Sequence, residues 1–325
     1  MRTVQATRPG GPEVLAVTDV PTPEPAAGQV RVDVVAAGVN YIDTYRRSGT
    51  YPMTFPHVVG TEGAGVVSAL GPGVGGVDVG DHVAWLTSNG SYAEQVLVKA
   101  DHVVRVPPQV EDRTAAALML QGMTAHYLVD STFPVTAGQH VLVHAGAGGV
   151  GLLLTQLASA RGATVLTTVS SDAKVQASRA AGATHVLRYD QMDDLTTELP
   201  AAVRDLTGGV HTVFDGVGAA TFDASLACLR PRGGLALFGG ASGQVPPLDP
   251  QRLAAAGSVY LTRPTVAHYT ADPDELRRRA EELFAAVGDG SLRVHVGATY
   301  ALDDAAEAHL ALEGRRTTGK VLLLP

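Results

Sequence analysis

Three glycines give this chain its clearest chemistry. The run His140-Val-Leu-Val-His-Ala-Gly146-Ala-Gly148-Gly149-Val150-Gly151 places Gly146, Gly148 and Gly151 in a G-x-G-x-x-G spacing. An apolar strand precedes it, and Val150, Leu153, Leu154, Leu157 and Ala158 follow at helical spacing. In such a turn the first glycine is expected to permit the tight bend and the second to admit a pyrophosphate to the backbone. The third lets the helix pack close to the strand, and the helix N-terminus offers N–H groups to phosphate. With 37 glycines in the chain the spacing alone says little; the strand before it and the helix after it make it a nucleotide-binding turn.

The residues that would meet the adenosine ribose come about twenty positions later. A turn that prefers NAD ends its second strand on Asp or Glu, which accepts from the ribose hydroxyls. Here that strand ends Thr168-Val-Ser170-Ser171, with no carboxylate. Asp172 follows in the first helical turn, then Lys174, and Tyr189 closes the third strand. An inward-pointing Asp172 would repel a phosphate. The plain alternative is that Ser171 or Asp172 caps a helix and Lys174 is solvated.

Other chemistries lack their residues. No Ser/His/Asp constellation or pair of catalytic carboxylates is evident. The single cysteine, Cys228, excludes a disulfide framework and a multi-thiolate metal site, and in Leu226-Ala-Cys-Leu it reads as inert core. The eleven histidines are scattered, without H-x-x-E-H or close paired spacing.

The elements that must position these residues change in texture along the chain. Residues 1 to about 120 carry short segments such as Val30–Ala36, Gly65–Leu70, His82–Leu86 and Ala93–Lys99, separated by turn clusters rich in Gly and Pro. This pattern predicts a β-rich, barrel-like domain. From about 123 to 262, strands are predicted at 140–145, 163–169, 184–189, 210–215, 234–239 and 258–262. Helices are predicted at 149–161, 172–181, 192–206 and 221–229. The alternation predicts an α/β fold with a doubly wound parallel six-stranded Rossmann sheet. The tail, 263–325, carries a helix at Pro273–Val287 and ends Gly319-Lys-Val-Leu-Leu-Leu-Pro; it is expected to return and complete the first domain.

At 325 residues, 45% hydrophobic and 17% charged, the chain suits two globular domains. A net charge of −8 and the absence of basic runs argue against nucleic acid as a partner. No apolar run reaches the ~18 residues that a membrane span needs. The N-terminus lacks the apolar core of a signal peptide, so a cytoplasmic location is expected.

The order of a β domain, a dinucleotide domain and a returning tail resembles the medium-chain dehydrogenase/reductase superfamily. Further segments sharpen the likeness: Ala37-Gly-Val-Asn40-Tyr41-Ile-Asp43-Thr-Tyr45, Gly60-Thr-Glu62-Gly-Ala-Gly-Val, Gly122-Met-Thr124-Ala-His-Tyr127-Leu and Thr262-Arg263-Pro264. With His144–Gly151 and the C-terminal Gly319–Pro325, they resemble the zinc-free quinone oxidoreductase branch, the zeta-crystallin-like group. The likeness covers essentially the whole chain. It implies a GroES-like domain over 1–122 and 263–325 and a Rossmann domain over 123–262, with the catalytic cleft between them. Zinc-dependent members place a cysteine where this chain has Asn40 and a histidine where it has Thr61. Neither an amide nor a hydroxyl is a useful zinc ligand, so the expectation is no metal. Glu62 is read as a structural carboxylate at the hinge.

The same likeness implies NADPH as the cofactor. Lys174 and Tyr189, with Arg315 from the tail, would surround its 2′-phosphate, which calls for cations and hydroxyl donors. Asn40 and Tyr41 would approach the nicotinamide end, and Thr124 and Tyr127 would line the cofactor channel. Gly148, Gly149, Val150, Ser170, Phe238 and Thr262 complete the expected cofactor contacts. Asn40, Tyr45, Tyr51 and Arg263 are the catalytic candidates, the last three at the substrate mouth. Position alone does not separate Tyr45 and Tyr51 from half-buried structural tyrosines, nor Arg263 from an interdomain ion-pair partner.

The activity implied is hydride transfer from NADPH to a quinone without metal. Reduction of an activated alkene, an enone or enoyl-thioester, is the alternative. A non-catalytic NADPH-binding or RNA-binding role, known among zeta-crystallin relatives, is weaker because the chain is acidic. Finally, Ser258-Val-Tyr-Leu-Thr reads as an edge strand with no lysine, proline or charge, so a homodimer joined through the Rossmann edge strands is expected.

Overall fold

The computed structural model describes residues 1–325. The chain divides into two compact units, Met1–Met123 with Tyr269–Pro325, and Thr124–His268.

In the first unit, β1 (Arg2–Ala6) pairs antiparallel with β2 (Leu15–Asp19), and β4 (His57–Val58) closes a three-stranded sheet on its other side. The long β3 (Gln29–Val39) is the spine of the larger sheet. Its burial alternates with period two, placing Val30, Val32 and Val34 in the core while Asp33 is exposed. β5 (Glu62–Leu70), β6 (His82–Trp85) and β8 (Val104–Arg105) follow in order on one side, and β7 (Gln95–Lys99) pairs with the first half of β3. Trp85 is fully buried, and its indole N–H donates to the Ser91 hydroxyl at 2.9 Å. The turn from β3 into β4 carries the helix Tyr41–Ser48. Asn40 caps it, with its own N–H donating to Asp43 Oδ2 at 3.0 Å, and Gly49 ends it in the left-handed region at φ 81°.

The second unit is the parallel sheet. Its strands are β9 (His140–Val143), β10 (Thr164–Val169), β11 (His185–Arg188), β12 (Val210–Asp215), β13 (Leu229–Leu237) and β14 (Tyr260–Thr262), ordered β11-β10-β9-β12-β13-β14. Every pairing is parallel. This is the doubly wound order, whose reversal between β9 and β12 marks the ligand crevice at the carboxyl ends. The helices Gly149–Ala160, Asp172–Ala180, Leu195–Thr207 and Phe222–Cys228 fill the intervals. β13 begins five residues earlier than the pattern predicts, directly after the helix Phe222–Cys228. β14 is shorter than expected because Ser258 sits at φ 56°, outside strand geometry.

The tail supplies the helix Pro273–Gly288, β15 (Val296–Ala301), the helix Ala305–Glu313 and β16 (Lys320–Leu324). β16 pairs antiparallel with the end of β3, Val321 opposite Val39, and β15 lies at the sheet's outer edge. The last residues of the chain therefore finish a sheet begun by the first hundred.

Candidate active site

The glycine turn differs from the expectation in how it bends. The left-handed residue is Ala145, at φ 53°, not Gly146. Gly146 is required by contact instead: a Cβ there would lie 2.5 Å from Thr167 Cβ and 3.0 Å from Ser178 Oγ. A Cβ on Gly151 would collide with the carbonyl of Ala145, so the third glycine does let the helix approach the strand end. A Cβ on Gly148 would meet nothing nearer than that carbonyl, at 3.2 Å. The helix Gly149–Ala160 has Gly148 as its cap and no side-chain capping bond; its ladder begins with Leu152 N–H to Gly148 O at 2.9 Å. Backbone and space are thus left for an anion at the N–H groups of the first turn.

The ribose corner lies where β10 and β11 end side by side, Val169 opposite Arg188. Ser171 caps the next helix, accepting from Lys174 N–H at 3.3 Å, while Lys174 Nζ donates to Ser170 Oγ at 3.4 Å. Tyr189 follows β11 in a short 3-10 turn. Asp172 stands on the solvent side of this corner: its side chain is 96% exposed and accepts from Arg188 Nη1. Arg188 also binds both oxygens of Asp190, at 2.7 and 2.6 Å, and holds that carboxyl below the ordinary range. Arg188 carries no sequence signal; only the register of two parallel strands brings it beside Ser170.

A buried polar rod crosses the carboxyl ends of β9, β10 and β12. Ser225 donates to Asp215 Oδ2 at 2.7 Å, so it accepts from His144 Nε2–H at 3.0 Å, and His144 Nδ1 accepts from Thr168 at 2.9 Å. Burial lowers the His144 pKa, keeping the ring neutral as this tautomer demands, with Asp215 pulling the other way. Asp215 further accepts from the N–H groups of Val217 and Gly218 and from Thr221, fixing the turn after β12. Serine, histidine and aspartate do not form a nucleophilic triad here. The carboxylate holds the serine rather than the histidine, and Ser225 is fully buried. Phe238, at the end of β13, stands against Gly216, where a Cβ would lie 2.8 Å from its ring.

In the first unit, Asn40 is buried and its amide is saturated. Nδ2 donates to Gly38 O at 3.1 Å and to Glu62 Oε2 at 3.0 Å; Oδ1 accepts from Lys320 Nζ at 2.9 Å and from Gln121 at 3.4 Å. Lys320 and Glu62, 1% and 0% exposed, form a direct ion pair, and Glu62 Oε1 accepts from Leu120 N–H at 2.6 Å. Gly38 makes room for the pair: a Cβ there would overlap Glu62 Oε2 and stand 2.7 Å from Lys320 Nζ. Lys320 carries no sequence signal beyond its place in a closing strand, because its partner is 258 residues away.

A second buried chain anchors the helix Tyr41–Ser48. Arg47 is bidentate to Glu313 and donates to His309 Nδ1 at 2.9 Å. His309 Nε2–H then donates to Tyr92, at 3.1 Å, and Tyr92 to Asp43 Oδ2 at 3.0 Å. Thr61 donates to Asp43 Oδ1 at 2.5 Å and accepts from Arg46 at 3.2 Å. Burial, reinforced by Arg47, pushes the His309 pKa down to about 3; burial pushes the Asp43 carboxyl up while Thr61 and Tyr92 pull it back. On the same helix the Tyr41 hydroxyl donates to Leu312 O at 3.0 Å. The rings of Tyr41 and Tyr45 lie 6.2 Å apart, and those of Tyr45 and Tyr51 meet edge-on at 5.5 Å.

Asn40, Tyr41, Tyr45 and Tyr51 thus form one cluster in the first unit. Arg315, in that unit too, is exposed just past the helix Ala305–Glu313, at φ 55°. Thr124 and Tyr127, in the second unit, are buried; Thr262 ends β14, and Arg263 is exposed with Nη1 donating to Pro264 O at 3.3 Å. The positions that hold zinc ligands in related dehydrogenases do not fit a metal. Asn40 and Thr61 are committed to internal hydrogen bonds, and the adjacent carboxylate, Glu62, is neutralised by Lys320.

Residues 149–284 match the zinc-binding dehydrogenase family and residues 26–108 the alcohol dehydrogenase GroES-like domain. The chain is 41% identical to a quinone oxidoreductase of Pseudomonas aeruginosa over 320 residues, 97% of each protein. It is 40% identical to a 2-haloacrylate reductase of a Burkholderia species, covering 97% of this chain and 96% of that one. A mycobacterial structure complexed with NADPH superposes with a TM-score of 0.97 at 51% identity, over the full length of both chains. With the parallel sheet, the glycine turn and the ion-paired Asn40–Glu62–Lys320 cluster, these likenesses fix its kinship: the chain belongs to the zinc-free quinone oxidoreductase family of the medium-chain dehydrogenase/reductase superfamily.

Proposed function

We propose that this protein is an NADPH-dependent quinone reductase. The observation that carries the cofactor choice is the ribose corner, where Ser170, Lys174 and Arg188 stand in place of the carboxylate that would accept from a ribose diol. Gly148 and the helix Gly149–Ala160, whose first turn has no side-chain cap, suit the diphosphate. Similarity to an NADPH complex and to a quinone oxidoreductase supports both halves of the reading.

NADPH, when bound, supplies a hydride from its nicotinamide. The chain binds and orients. Gly148, Gly149 and Val150 would hold the diphosphate; Ser170, Lys174, Tyr189 and Arg315 would serve the 2′-phosphate; Thr124, Tyr127, Phe238 and Thr262 would line the remainder. Tyr45 and Tyr51 offer aromatic faces to a flat substrate, and Arg263 serves its mouth. Asn40, with both amide hydrogens engaged, shapes the site beside Tyr41 rather than donating to substrate. One hydride and one proton convert a quinone to its hydroquinone. Aromatisation drives the step and water provides the proton, so no Lewis acid is required.

One observation favours a second reading, reduction of an activated carbon–carbon double bond: the 40% identity to a 2-haloacrylate reductase. Steady-state kcat/KM for 1,4-benzoquinone and 9,10-phenanthrenequinone against a panel of enones separates the two, and a higher value for an enone than for every quinone overturns the first. We further place the enzyme in the cytoplasm as a homodimer. β14 ends the parallel sheet, with Tyr260 62% exposed on an edge free of lysine and proline. Light scattering at micromolar concentration should give twice the 33.5 kDa chain mass.

A further inference from the structure

The ribose corner holds one guanidinium and two carboxylates, and the two are anchored differently. Asp190 lies two residues from Arg188, matches it with both oxygens, and belongs to the same strand-end turn. Asp172 reaches Arg188 from another element, the first turn of the helix Asp172–Ala180, through one nitrogen and with its side chain almost wholly in solvent. The Arg188 side chain is only 17% exposed. Lys174 Nζ and Ser170 Oγ lie at the same strand ends. One counter-ion is therefore fixed and the other releasable.

We propose that Arg188 is a specificity residue for the ribose 2′-phosphate and that Asp172 is its built-in competitor, occupying Arg188 Nη1 until the phosphate takes that position. This rests on the NADPH reading above. Asp190 keeps the guanidinium oriented throughout, so the exchange needs only a solvent-exposed side chain to turn away. A phosphate carries nearly two charges and three acceptor oxygens that Arg188, Lys174 and Ser170 can share. A single exposed carboxylate holds its partner weakly by comparison. A cofactor without the phosphate leaves Asp172 in place and gains nothing from Arg188. Asp172 then costs some affinity for the phosphorylated cofactor in exchange for a cation that does not stand bare.

The test is calorimetric titration at fixed ionic strength with adenosine 2′,5′-bisphosphate and with 5′-AMP, which differ by the 2′-phosphate alone. Asp172→Asn should tighten the bisphosphate about three- to tenfold and leave 5′-AMP unchanged. Arg188→Gln should weaken the bisphosphate about tenfold or more, again sparing 5′-AMP, and Arg188→Lys should restore part of the loss. In the Arg188→Gln background, Asp172→Asn should change bisphosphate affinity less than about twofold, because Asp172 acts through Arg188. Equal changes for both ligands, or an undiminished Asp172 effect in the double variant, overturn the proposal. Wild-type protein binding the bisphosphate no better than 5′-AMP would overturn the NADPH reading itself. A wild-type preference that neither variant alters would overturn the proposal alone.

Discussion

Lys320→Met keeps most of the side chain's length and removes its ammonium from beside Glu62. Both groups are essentially without solvent, and each also holds the Asn40 amide, so the substitution strands a buried carboxylate and leaves Asn40 Oδ1 with only the longer contact from Gln121. Breaking a buried pair from one side costs about 3–5 kcal/mol, because the remaining charge is uncompensated. At about 2–4 °C per kcal/mol for a unit of this size, the melting temperature of the first unit should fall by about 6–20 °C. The partner substitution separates charge from packing. In Lys320→Met/Glu62→Gln neither charge of the pair remains, while the glutamine can still accept from Leu120 N–H, so most of the loss should be recovered. Differential scanning calorimetry on the two variants and Glu62→Gln makes the comparison. A single Lys320→Met variant melting within about 2 °C of wild type would refute the reasoning. So would a double variant less stable than both singles.

Lys174→Ala should raise KM for NADPH about tenfold to a hundredfold, since a charge-assisted contact is worth about 1.5–3 kcal/mol, and leave NADH nearly untouched; equal losses for both would show that Lys174 does not read the phosphate. Stability should fall as pH drops from about 6.5 towards 3. His309 is held neutral in the fold with its pKa down at about 3, so over that window the unfolded chain binds the extra proton, at about 1.4 kcal/mol per pH unit. His144 adds in the same direction, and Asp43, its carboxyl pushed up by burial, opposes. Urea midpoints at several pH values should be shallower in slope for His309→Gln, and an unchanged slope would contradict the assignment. Gly151→Ala forces a methyl onto the Ala145 carbonyl, so it should abolish measurable NADPH binding in fluorescence titration while 5,5′-dithiobis(2-nitrobenzoate) still finds Cys228 unreactive, as in an intact fold.

What could be read from the chain followed the range of the interactions involved. The central parallel strands, β9, β10 and β12, were legible because each is a short run buried on both faces. The helix after the glycines was legible from its spacing. The bend itself was misread: the pattern pointed to Gly146, whereas Ala145 takes the left-handed conformation and Gly146 answers to the crowding of Thr167 and Ser178. Asp172 looked discordant because sequence shows neighbours along the chain and not across a sheet. The partner that turns it outward, Arg188, becomes adjacent only through the register of β10 and β11. Asn40 was found by likeness, but its role depended on Lys320 and Glu62. No local pattern links a lysine in a closing strand to a glutamate 258 residues earlier.

That separation also sets an order of events during synthesis. Translation at about 5–20 residues per second puts Glu62 into the nascent chain roughly 13–50 s before Lys320. The parallel sheet is drawn from one continuous stretch and can assemble as soon as it clears the ribosome. The β-rich unit cannot, because its spine strand lacks a neighbour and its innermost carboxylate lacks a counter-charge until the final residues arrive. An N-terminal half that is made first is thus finished last, and a chain cut a few residues short would carry a complete nucleotide fold tethered to a half-closed one. A released chain truncated just before Lys320 should therefore present to proteases and holdases the surface that Lys320–Leu324 would seal.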